Sequence, residues 1–154
     1  MRKSMFIAIV AVACGGGGDY SVDDIEAGLV SGTIGGASWE MVEAQVEVDP
    51  FDANQLSIEV FAEDVDDCTF ASSKEPFLLF SVDNQTGEYP LSFDLLQGGQ
   101  TITIVEPPAN NNIAAEGIID LVVNEGSIEV GLVAFIDDDY NVNGSFTADI
   151  CDSK

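Results

Sequence analysis

From residue 28 onward, apolar and polar residues alternate with a period of two, and glycine, proline, asparagine or aspartate interrupts the alternation at short intervals. That is the signature of β-strands joined by tight turns, and an amphipathic helix would show a period of 3.6 instead. The pattern predicts strands over residues 30–35, 39–48, 55–63, 76–82, 88–93, 101–105, 113–123, 128–136 and 142–150. In 39–48, Val42, Ala44, Val46 and Val48 share one face, opposite Glu43, Gln45 and Glu47. In 55–63, Leu56, Ile58, Val60 and Ala62 alternate with Ser57, Glu59 and Glu63, which places Phe61 on the polar side. Residues 76–82 are apolar at consecutive positions, as suits a central strand covered on both faces. Pro90 restricts its strand to a sheet edge or a bulge, because proline gives the ladder no N–H. Residues 107–112 read as a loop.

The last third carries the longest strands. Ile128, Val130, Leu132, Ala134 and Ile136 face one way, and Phe146, Ala148 and Ile150 continue that surface. The turn at Asn124-Glu125-Gly126 has a glycine where a three-residue hairpin needs a left-handed residue. About nine strands with short links make the chain all-β, an antiparallel meander closed as a barrel or a sandwich. No substantial helix is expected after residue 14. One short helical turn fits within residues 21–27, with Ser21 as N-cap and Asp24 closing a capping box.

The start of the chain has a different character. Arg2 and Lys3 precede an uncharged apolar run over residues 5–13, the layout of a secretory signal peptide. The run is too short to span a bilayer as a helix, which takes about 20 residues. Ala11-Val12-Ala13-Cys14 resembles the lipobox of bacterial lipoproteins, with Ala11 where leucine is commonest. The resemblance implies cleavage before Cys14 and acylation of that cysteine. Residues 1–13 are then a signal peptide, 14–27 a lipidated cysteine with a flexible glycine-rich and acidic tether, and 28–154 a single β-domain. Two or more acyl chains hold a protein stably on a membrane that it does not span.

Charge narrows the partners. The chain has 28 acidic residues, 4 basic ones and no histidine. Once Arg2 and Lys3 leave with the signal peptide, Lys74 and Lys154 face 28 acids, a formal charge of −26. Nucleic acid is excluded as a partner, since its binding depends on Lys and Arg at the phosphates. Cations, basic partners and solubility in salt are favoured. With Cys14 given to lipid, Cys68 and Cys151 remain as an even pair in a compartment that permits a disulfide. A metal or redox pair would want a short Cys-x-x-Cys spacing, which is lacking. Cys151 has the parity opposite to the inward residues, so the bridge is expected at a rim or outer face.

Several turn and strand motifs taken together carry a resemblance. Ser31-Gly32-Thr33-Ile34-Gly35-Gly36 followed by Trp39, Cys68 after an acidic loop, Thr86-Gly87-Glu88-Tyr89-Pro90-Leu91, and Val142-Asn143-Gly144-Ser145-Phe146 with Cys151 resemble small uncharacterised envelope lipoproteins of Bacteroidota-type bacteria. The resemblance implies an outer-membrane lipoprotein with an all-β domain, held on the periplasmic or cell-surface side, and brings no activity with it.

Candidate chemistry is sparse. Without histidine the commonest general base and metal ligand is missing. Ser72-Ser73-Lys74 lacks the Ser-x-x-Lys spacing of a serine–lysine pair. Asp139-x-Asn141-x-Asn143-Gly144 matches the first half of a calcium loop, with Asp137 just before it and Asp64, Asp66 and Asp67 as further oxygen donors. Ile150 stands where the closing glutamate should be, and a hairpin turn uses the same residues. Calcium is the one cofactor these residues suggest. Trp39, Phe61, Tyr89 and Tyr140 are the aromatics not plainly inward, and aromatics beside acids form sugar-binding surfaces. Three functions follow as expectations: a non-enzymatic module binding a protein partner or small ligand, a calcium-stabilised carbohydrate-binding or adhesion module, and a carboxylate-dependent hydrolase.

Overall fold

The structure is a computed structural model that describes residues 19–65, 68, 73–94 and 99–151. Eleven strands among the described residues form two antiparallel sheets. The first sheet has the order β2 (Ala37–Glu40), β1 (Ser31–Ile34), β11 (Tyr140–Asp149), β10 (Ser127–Asp137), β9 (Glu116–Val123), β6 (Gly87–Pro90). The second runs β3 (Glu43–Val48), β4 (Gln55–Phe61), β5 (Phe77–Asp83), β7 (Ile102–Glu106), β8 (Asn110–Ala114). Neither sheet closes on itself, so the architecture is a sandwich. Its core holds the predicted inward sets: Leu56, Ile58 and Val60 from β4, Ile128, Val130, Leu132 and Ala134 from β10, with Phe146 from β11.

Two expected strands each prove to be two. Residues 39–48 divide between β2 and β3, and the chain changes sheet at Met41-Val42. There the Met41 N–H donates to the Val30 carbonyl at 2.9 Å, and the Val42 N–H donates to the Phe61 carbonyl at 2.7 Å in the other sheet. The corner shifts the inward parity by one residue. Trp39 and Met41 point inward before it, Ala44 and Val46 after it, and Val42 is left 59% exposed instead of inward. Residues 113–123 likewise divide between β8 and β9, and residues 110–112, expected in a loop, begin β8. Gly117 turns this second corner at φ 138°, where a Cβ would collide with the Val133 carbonyl.

Other expectations hold or need smaller correction. β6, with Pro90, is an edge strand. β5 is central in its sheet, and its outer face is covered only in part: Leu78, Phe80 and Val82 are buried, Phe77 and Leu79 half-buried, and Ser81 exposed. Gly126 takes the left-handed conformation at φ 80°. The short helical turn is a 3-10 turn, Val22–Asp24, and the Asp24 carboxylate accepts the Ser21 N–H at 2.8 Å and its hydroxyl at 3.0 Å.

Cys68 and Cys151 form the expected disulfide. It sits at a rim where the end of β11 meets β3, since Val46 and Ile150 form a parallel bridge and the Cys151 N–H donates to the Val46 carbonyl at 2.7 Å.

Candidate binding surface at the hairpin end

β10 ends at Asp137 and β11 begins at Tyr140, leaving Asp138 and Asp139 as the turn. Asp137 Oδ1 accepts the N–H groups of Asp139 at 2.9 Å and Tyr140 at 3.0 Å. Asn141 Nδ2 donates to the carbonyls of Asp138 at 3.0 Å and Asp137 at 3.3 Å. A calcium loop would need the oxygens of Asp137, Asp139, Asn141 and Asn143 to converge. Here Asp137 and Asn141 close the turn on itself, and Asn143 is engaged elsewhere. Among the described residues no group of three or more acidic or cysteine side chains is placed to hold a metal ion. Asp64 follows β4 in the other sheet, and Asp66 and Asp67 lie outside the described residues.

Asn143 holds an N-terminal strap. Its Nδ2 donates to the Asp24 carbonyl at 2.9 Å, and its Oδ1 accepts the Glu26 N–H at 2.8 Å. The Ser145 N–H donates to the Gly28 carbonyl at 2.8 Å. Ile25 lies over Gly131 on the outer face of the six-stranded sheet, so close that a Cβ there would be 3.0 Å from Ile25 Cδ1. Residues 19–27, expected to belong to a flexible tether, are therefore laid along the domain. Cys14 and the four glycines after it lie outside the described residues.

On the inner side of the hairpin, the Tyr140 hydroxyl donates to Glu106 Oε1 at 2.8 Å. Asn110 and Asn112 donate to the same oxygen at 2.8 and 2.9 Å. This clasp joins β11 of one sheet to β7 and β8 of the other. The hydrogen bond to the Glu106 carboxylate, with burial and the adjoining charge, raises the Tyr140 pKa above the ordinary phenol value and keeps the ring neutral.

Two open clefts meet at Phe135 beside this hairpin. One, of about 450 Å³, is floored by Gly32 and Val133 and rimmed by Tyr20, Glu26, Asp138 and Asn141. The other, of about 370 Å³, is more apolar, with Leu91, Phe93, Ile113 and Ile136 in its wall and Asp94 and Glu116 at its edge. Phe93 is 68% and Ile113 is 47% exposed.

The aromatic surface expected from the sequence does not assemble. Trp39 is buried in the core, with Nε1 donating to the Pro76 carbonyl at 2.8 Å, because the corner at Met41-Val42 reverses its parity. Phe61 keeps its outer-face parity yet is fully buried, stacked on its cross-strand partner Phe77 with centroids 5.3 Å apart. Tyr89 is half-buried and donates to the Gln85 carbonyl at 2.6 Å, closing the turn before β6. Of the four, Tyr140 alone reaches the hairpin end, and its hydroxyl is committed to Glu106.

One pair of carboxylates sits apart from the clefts. Glu47 and Glu59 share a dimple on the outer face of the five-stranded sheet, where burial first and then the Glu47 charge raise the Glu59 pKa above 4.5. The dimple has a volume of about 20 Å³. That is room for a water molecule and none for a sugar ring between two carboxylates. Ser73 donates its hydroxyl to Glu63 at 2.7 Å, which makes it part of a loop cap, and Ser72 lies outside the described residues.

The residues that build the clefts, Tyr20, Glu26, Phe93, Ile113 and Phe135, carry no sequence motif. Their only signal was negative: Phe135 occupies the outward parity of β10, and Ile113 breaks a run of asparagines. No protein-family model, curated protein or solved structure matches this chain.

Proposed function

We propose that the chain is a lipid-anchored protein of the bacterial envelope whose β-domain binds a partner or small ligand and catalyses no reaction. The anchor half of this reading is supported by the cationic start, the apolar run and Cys14 before four glycines. The observation that carries the binding half is the pair of open clefts meeting at Phe135. The Glu26 and Asp138 carboxylates and the Asn141 side-chain oxygen there give acceptors to a hydrophilic ligand that carries hydroxyl or amino groups. A second reading, a carbohydrate-binding or adhesion module, is favoured by the Tyr20 ring beside those groups, since a ring face next to carboxylates and a fixed amide suits a polyhydroxylated ligand.

Mass spectrometry of the membrane fraction tests the anchor. The expected species begins at an acylated Cys14, and a Cys14→Ser chain leaves the membrane. A mature chain that keeps Met1, or carries no acyl group, refutes it. A panel of glycans and peptides titrated into the full chain tests the binding half, with Asp138→Asn and Phe135→Glu weakening any ligand of the clefts.

A further inference from the structure

A sheet edge offers unpaired N–H and C=O groups to any strand that reaches it, and proteins guard such edges with charge, proline, shortness or cover. Among the described residues four strands are edges: β2 and β6 in one sheet, β3 and β8 in the other. β2 has four residues and carries Glu40. β6 carries Glu88 and Pro90. β3 carries Glu43 and Glu47, and the end of the chain covers it through the Val46–Ile150 bridge. β8, of five residues, carries neither charge nor proline, and no further strand pairs with its outer edge among the described residues. It reads Asn-Asn-Asn-Ile-Ala in a chain with 28 acidic residues, and among the described residues it pairs with β7 alone.

This edge adjoins the apolar cleft. Asn110 and Asn111 are exposed, and Ile113 points outward into the wall shared with Phe93 and Phe135. A strand added to β8 would set alternate side chains along that wall, so main-chain hydrogen bonds would give affinity and the cleft specificity. Asp94 and Glu116 rim the cleft on a molecule of formal charge −24. The side chains between the apolar ones are thus best met by lysine or arginine, and a second copy of this acidic chain brings like charge to the same edge.

We propose that β8 is the docking edge for an extended segment of a partner protein in which apolar and basic residues alternate. The proposal rests on the reading of this domain as a binding module, and it assigns to that module the chemistry of one partner.

The test uses the full chain in detergent and a short, capped, fluorescent peptide alternating valine with lysine. Binding is expected by anisotropy, with amide-exchange protection appearing over residues 110–114. Affinity should fall at least about tenfold for the same peptide N-methylated on its edge-facing amides, for its glutamate-for-lysine counterpart, and for the chain carrying Ile113→Lys or Asn111→Lys. Val42→Lys, at an exposed apolar position in the corner between β2 and β3, should leave affinity unchanged. Equal binding of the N-methylated peptide would reduce the effect to charge alone and overturn the proposal, as would indifference to both β8 variants or no binding. A concentration-dependent dimer protected at 110–114 without peptide would give the edge to a second copy and overturn it too. An acylated Cys14 and a ligand mapped to Asp138 would survive any of these results, so failure here is distinct from failure of the general reading.

Discussion

Removing the disulfide with Cys68→Ala and Cys151→Ala together should cost most of the cross-link's effect on the unfolded chain while leaving the fold in place. The bridge joins residues 83 apart. Closing a loop of that length removes unfolded-state entropy equivalent to about 4.5 kcal/mol at 25 °C in the chain-entropy model. The folded side should change little, because the Cys151 N–H still donates to the Val46 carbonyl and Ile150 still bridges to Val46. Against a total stability on the order of 5–15 kcal/mol, that loss is large without being fatal. Equilibrium urea unfolding in about 1 M salt, where the Debye length is ~3 Å, screens the self-repulsion of the acidic chain. With a slope of about 1–3 kcal/mol per molar, the midpoint should fall by roughly 2 M. A loss under about 1 kcal/mol at unchanged slope would refute the reasoning, because the unfolded chain would then gain little freedom from cutting the loop.

Four further outcomes are expected. Gly131→Val should push Ile25 off the sheet and speed amide exchange over residues 19–29, at a cost of about 1 kcal/mol for the half-buried Val22 and Ile25; a strap that stays protected would contradict its placement. Trp39→Phe should cost about 1–3 kcal/mol, because the Pro76 carbonyl loses its donor, and should leave ligand binding unchanged, as a thermal melt and the glycan panel would report. Glu63 accepts the Ser73 hydroxyl and the Lys74 N–H, so its folded pKa lies below 4.5, and its contribution is present above the unfolded pKa and fades as pH falls through the folded one. The Glu59 pKa is raised, so its charged form opposes folding, and stability falls as pH rises through its folded pKa. Glu59→Gln should therefore raise the melting temperature at neutral pH, and Glu63→Gln should flatten the acid limb of the stability profile; profiles parallel to the parent would reject both assignments. Millimolar calcium should leave the melting temperature of the metal-stripped chain unchanged, because Asp137 and Asn141 already serve the turn, and a clear upward shift would restore the metal loop.

Much of the strand content was legible because side-chain alternation is a local property. The inward set of β10, the edge position of Pro90 and the left-handed Gly126 follow from parity, ring chemistry and turn geometry, and the pairing of Cys68 with Cys151 from setting Cys14 aside as a lipidation site. The corners were not legible. A strand that bends from one sheet to the other stays extended and keeps alternating, so residues 39–48 read as one element although they serve two sheets. The single-residue slip at Met41-Val42 then inverted the expected side of Trp39.

The sequence by itself determined that this protein is all-β, strongly acidic, without histidine and equipped with a cysteine pair for a bridge, because composition and period-two patterning require no knowledge of neighbours. Tertiary structure alone decided that the domain is a sandwich, that the strap from residue 19 lies on the six-stranded sheet, and that Glu106 clasps Tyr140 across the two sheets. It also decided that β8, which has neither charge nor proline, is an edge. The physical reason is that each of these depends on which distant segments meet: Asn143 can hold Asp24 and Glu26 only once the strap reaches the six-stranded sheet, and Glu106 can hold Tyr140 only once the two sheets have packed.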